Sequence, residues 1–189
     1  MLIKLDDVKQ AFTIEEKDQD NNINQIIQAV EAEVKNRCGR SFETAERTEY
    51  YNGDGTDELI VKEYPITAID SVYDDTDRVY GVDTAITVAD LVYGEIDGIS
   101  AGIIDYTEGV FMNGTKNIKI TYTAGYTAAN MPADLKMSLI KLVGADLLEN
   151  NGAIFAISSE GADGVAADRP GRLRKQAWKI LNRYRSRRI

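Results

Sequence analysis

Histidine is absent from this 189-residue chain, which removes the commonest general base, the Ser-His-Asp and Cys-His arrangements and the usual nitrogen ligand of a metal. Cysteine occurs once, at Cys38, so no disulfide can staple the fold; its place in a helical pattern predicts a buried thiol, compatible with a reducing compartment. No Gly-rich stretch matches a Walker loop or a dinucleotide fingerprint, since Gly161-Ala162-Asp163-Gly164 lacks the following Lys-Ser/Thr and a preceding strand. Long apolar runs are also missing: Met1 to Phe12 mixes Lys4, Asp6, Asp7 and Lys9, which predicts a soluble protein made in a cytoplasm, without signal peptide or membrane span. Asn113-Gly114-Thr115 spells a glycosylation sequon, but without a secretory signal it reads as a turn.

The most informative absence is local. Residues 169–189 hold nine of the 22 Lys and Arg and none of the 31 Asp and Glu. A body with a large negative excess thus carries a wholly cationic tail, a segregation that no fold requires and that points to an acidic partner. The overall charge of -9 makes the body as a whole a poor wrapper of nucleic acid.

Hydrophobic content of 43% is ordinary for a globular chain, and the periodicities predict an α+β fold. The expected helices lie near 5–12, 21–38, 132–149 and 171–187 and form a small antiparallel core. Ile23, Ile26, Ile27, Val30, Val34 and Cys38 make the stripe of the second, which Gly39 stops; Leu135, Leu139, Leu142, Val143 and Leu147 make that of the third, opened by Pro132. An antiparallel β region at about 40–126 is inserted between these two helices. Within it, 49–51 and 58–61 flank Asn52-Gly53-Asp54-Gly55 as a hairpin signal, further strands fall at 69–73, 85–93, 102–106 and 109–112, and Ile118, Ile120 and Tyr122 alternate along the clearest strand. Residues 1–149 are then the core with its insertion, 150–169 a flexible loop, and 170–189 a basic docking helix held at a distance.

Candidate sites are few. Asp74, Asp75 and Asp77, or Asp54, Asp57 and Glu58, have the composition of a cation site, but acidic residues favour turns for backbone reasons and are read as turn formers at the surface. Asp18, Asp20 and Asn22 open like a calcium loop, yet Ile23 and Ala29 stand where its Gly and Glu belong. No catalytic, cofactor or metal residue is therefore assigned. The last helix sets Leu173, Ala177, Ile180, Leu181 and Tyr184 on one side and cations on the other, with Trp178 off the apolar centre where a partner can bury it. Its cations repel one another until a partner neutralises them.

The order of these parts resembles the head-to-tail connector (adaptor, or head-completion) proteins of tailed bacteriophages and prophages. The likeness rests on the Leu5-Asp6-Asp7-Val8-Lys9 opening, Arg37-Cys38-Gly39-Arg40-Ser41-Phe42 closing the second helix, and the Tyr64-Pro65-Ile66 step before a strand. It continues through Ile118 to Tyr126, Met131-Pro132-Ala133-Asp134-Leu135 before the long helix, and Tyr184-Arg185 in the last. It implies a non-enzymatic virion protein of the neck between capsid and tail, a ring of twelve copies under the portal protein that leads DNA, without sequence recognition, toward the stopper or tail. Portal docking would fall to Arg172, Arg174, Lys175, Trp178, Lys179, Arg183, Tyr184 and Arg185. The alternative is a nucleic-acid-binding module whose basic helix, with Arg187 and Arg188, grips phosphates. A metal-dependent enzyme built on the acidic turns is a third possibility.

Overall fold

The computed structural model describes residues 2–15, 17–96, 99–150 and 169–186. The chain divides into a helical unit, Met1–Arg40 with Ala128–Arg185, and a β unit, Ser41–Thr127. The expected loop at 150–169 lies almost wholly outside the described residues.

The helical unit contains α1 (Leu5–Phe12), α2 (Asp20–Cys38), α3 (Ala133–Asn150) and α4 (Arg169–Leu181), followed by a 3-10 turn over Asn182–Tyr184. Helix α2 ends where Gly39 takes φ 70°, the left-handed stop that glycine supplies most easily. Its stripe, Ile23 to Cys38, is buried as the periodicity predicts, and so are Leu135, Leu139, Leu142, Val143 and Leu147 on α3. Helix α3 packs against α1, α2 and α4 in turn. At Gly144 the Phe12 ring lies where a Cβ would be, so a glycine within α3 lets α1 approach closely. Two ion pairs pin α1: Lys136 Nζ sits 2.8 Å from Asp7, and Lys9 Nζ 2.5 Å from Asp20. Burial pushes the Asp7 carboxyl up, but Lys136 and the Lys4 amide outweigh it and hold the group below its ordinary value.

The β unit is two antiparallel sheets. One has the order β1 (Ala45–Gly53), β7 (Gly114–Ala124), β3 (Ile66–Asp74), β4 (Ala85–Ile86); the other has β2 (Glu58–Ile60), β6 (Ile99–Tyr106), β5 (Leu91–Ile96). The expected hairpin does not form: Asn52-Gly53-Asp54-Gly55 hands the chain from the first sheet to the second, and β1 pairs with β7 while β2 pairs with β6. The strand expected over 85–93 is broken by a 3-10 turn at Val88–Asp90, and 109–112 is a loop. In that loop Phe111 is 1% exposed, packed into the core with Leu59, Ile104, Val72, Ile118 and Ile120. A buried aromatic in an irregular segment mimics strand patterning.

Polar groups organise the same core. Glu49 Oε2 accepts from the hydroxyls of Tyr51 at 2.5 Å and Tyr122 at 2.6 Å, and these phenols accept the amides of Lys62 and Glu63. Burial, and then the hydrogen bond to Glu49, pushes both phenols above their ordinary range. Asp74 and Asp75, expected as surface turn formers, are each only 7% exposed. Asp74 takes the Met112 amide at 2.6 Å and Asn117 Nδ2 at 2.7 Å, so it ties three segments together, whereas Asp75 does shape its turn, accepting the amides of Asp77, Val79 and Tyr80.

Two substitutions check this account by chemical denaturation. Leu139→Ala, at a fully buried position on α3, is expected to lower stability by about 2–5 kcal/mol. Asp74→Asn turns an amide NH2 toward one of the two donors, the Met112 amide or Asn117 Nδ2, and is expected to cost about 1–3 kcal/mol; a near-zero change would show that Asp74 is the turn residue its sequence suggests.

Candidate docking surface

Helix α4 is amphipathic because apolar residues recur at three and four: Ala177, Trp178 and Leu181 are buried, while Arg172, Lys175, Lys179 and Arg183 are exposed. These four cations stand at spacings of three, four and four and form one stripe along the helix and its 3-10 extension. Arg185 is also exposed.

The other three residues of the expected docking set turn toward the chain itself. Arg174 Nη2 lies 2.6 Å from Asp146 and 2.8 Å from Glu149, with Nε 3.2 Å from the second Glu149 oxygen. Its hydrogen bonds lower the Glu149 carboxyl, and Glu149 in turn raises the guanidinium. Asp146 goes the other way, because burial outweighs the attraction of Arg174. Trp178, expected to wait for a partner, is 8% exposed, and the Arg37 guanidinium stacks 3.9 Å from its ring centroid. Tyr184 donates to Asp134 at 2.6 Å. The Cys38 thiol, buried as expected, lies 3.8 Å from the Leu181 carbonyl, and burial pushes its pKa up.

The helix is therefore packed on α3, not held at a distance, and part of its charge is neutralised within the chain. The acids on α3 that do this lie 25 and 28 residues from Arg174, which composition of the tail alone cannot reveal. Arg187 and Arg188 lie outside the described residues. Among the described residues no group of three or more His, Cys, Asp or Glu is placed to hold a metal ion, and no helix is long and apolar enough to cross a membrane.

With this architecture in place, comparison with known families is decisive, because the family model "Head completion protein" matches residues 1–186. The chain belongs to the head completion protein family. The fold has relatives among solved structures: the neck of a native gene transfer agent particle computed with C12 symmetry (TM-score 0.59, 16% identity) and the neck of an empty particle computed with C6 symmetry (0.58, 14%). Each alignment covers 100% of this chain and 91% of the other. The virion of a native gene transfer agent particle matches at 0.56 and 15%. At such identities the likeness is one of fold. A comparison with curated proteins finds no match.

For this head completion protein, Trp178→Ala is expected to lower folding stability by about 3–5 kcal/mol in denaturant titrations, as for other buried aromatics. An unchanged midpoint would return Trp178 to the role of a partner's anchor.

Proposed function

We propose that this head completion protein is a structural head-to-tail connector. It assembles as a ring of twelve copies in the neck of a phage-like particle, docks beneath the portal protein and extends the DNA channel toward the stopper or tail. The single observation that carries this reading is the family match over residues 1–186. In this reading it acts by assembly and performs no catalysis.

Its charge distribution suits the role. Residues 41–127 hold 17 acidic side chains against 5 basic ones, so even with Glu63, Asp74 and Asp75 buried the unit offers an acidic surface over which DNA slides because few cations can replace its counterions. Portal docking is assigned to the stripe Arg172, Lys175, Lys179 and Arg183, with Arg185 beside it, facing an acidic collar. Arg174, Trp178 and Tyr184 contribute by fixing the helix that carries the stripe.

Removing α4 is a poor test, since the cut would expose the core around Ala177, Trp178 and Leu181. Charge reversal at Lys175, Lys179 and Arg183 leaves that core intact. Binding of this variant to purified portal rings is expected to fall by at least about tenfold, chiefly through slower association, with a weaker salt dependence. Unchanged portal binding, together with salt-dependent affinity of the unaltered chain for duplex DNA that the variant loses, would favour the nucleic-acid-binding alternative.

A further inference from the structure

The loop after β3 is held in an unusual shape. Arg78 and Tyr80 both adopt left-handed backbone angles, φ 62° and 56°, which cost a non-glycine residue free energy. Asp75 secures them: its carboxylate takes the amides of Val79 and Tyr80, which hold it below its ordinary pKa against burial. Tyr80 is fastened at its other end, with its hydroxyl donating to the Lys116 carbonyl at 2.6 Å and its ring 5.5 Å from that of Tyr50. What this bracing presents to solvent is apolar, since Val79 is 78% and Val82 92% exposed. Cations gather around it. Arg78 is exposed, Lys119 Nζ lies 5.5 Å from the Tyr80 ring centroid and Lys116 is adjacent, so three of the five basic residues of the β unit surround this knob. Asp83 folds back over Gly81, and Asp77 stays at the surface.

A complementary hollow lies elsewhere in the same unit. A cavity of about 280 Å³ opens between the end of β1 and β2; the half-buried Tyr51 and Ile60 give it apolar walls above a floor of the core residues Leu59, Phe111 and Ile118, while Asp54, Asp57 and Glu58 line it with negative charge. Hydrogen bonds from the Thr56 hydroxyl and amide hold the Asp54 carboxyl below its ordinary range. Knob and cavity cannot serve each other within one molecule. Tyr50, under the knob, and Tyr51, in the cavity wall, are neighbours on β1, so their side chains leave opposite faces of the sheet.

We propose that the braced loop at Arg78–Val82 inserts its valines into the acidic-lined cavity of a second copy of this chain, with Arg78 meeting Asp57 and Glu58. The contact is head-to-tail, using two different surfaces on each copy, which is the type that closes into rings. It rests on the connector reading above and names the surface by which neighbours in that ring meet. Because the loop is already ordered, association forfeits little conformational freedom.

The test is a charge exchange between full-length chains, read by sedimentation velocity over a dilution series, with folding of each checked by circular dichroism. Arg78→Glu alone and the double change Asp57→Lys with Glu58→Lys alone are each expected to self-associate at least about tenfold more weakly than the unaltered chain. Mixed in equal amounts they are expected to associate again, since each reversed knob then finds a reversed cavity. Val82→Asp, at a position without backbone strain, is expected to weaken association without lowering stability. Self-association of all variants at the unaltered level overturns the contact, as does failure of the mixture to recover or an unaltered chain that stays monomeric throughout. Portal binding judges the connector reading separately: a chain that binds portal rings normally while failing the exchange keeps that reading and loses this contact.

Discussion

The helical unit depends on the burial of α3. Leu135, Leu139, Ile140, Leu142, Val143, Ala145 and Leu147 are all buried, so this helix has apolar residues on nearly every side and cannot be satisfied by one neighbour. It acquires three: α2 brings its isoleucine and valine stripe, α1 brings Phe12 over Gly144, and α4 brings Ala177 and Leu181. The charged groups at the edges of α3 follow from this. Lys136 reaches Asp7 on α1, Asp146 and Glu149 receive Arg174 from α4, and Asp134 receives Tyr184. A helix that is apolar at its centre and ionic at its margins orients the basic helix and leaves only one face of it outward.

The β unit solves a different problem, that of carrying many carboxylates without unfolding through self-repulsion. It spends several of them internally as acceptors for backbone amides and phenols. Glu49 takes two hydroxyls, Glu63 the Ser41 amide, Asp74 an amide and a carboxamide, and Asp75 a run of loop amides. An ionised carboxylate is the strongest acceptor available among side chains, so excess negative charge becomes a means of fixing loops that have no regular backbone pairing.

Legibility in the sequence followed the range of the interactions. The stripes of α2 and α3, the Gly39 stop and the alternation along β7 are local and were readable from spacing alone. Asn52-Gly53-Asp54-Gly55 has the composition of a hairpin turn, yet Asn52 and Gly53 still belong to β1 and no hairpin forms, because strand choice depends on which core face Tyr51 and Leu59 must fill, and their partners Ile118 and Ile104 lie far along the chain. Asp74 was misread for the same reason: acids in a turn look solvated until Met112 and Asn117, 38 and 43 residues away, arrive to bond them. In the candidate docking surface the cationic stripe was visible, but the division of its set into outward and inward residues required the positions of Asp146, Glu149 and Arg37.

The seating of Trp178 under Arg37 has an optical consequence. It is the sole tryptophan, and it lies in the helical unit, whereas nine of the ten tyrosines fall within 41–127. Apart from Tyr184, which shares the helical unit with Trp178, the two units thus carry different chromophores. Tryptophan emission follows the loosening of α4 from its neighbours, and tyrosine absorbance follows the sheets. Whether the two signals move together on heating distinguishes a single cooperative transition from two independent ones without any label being added.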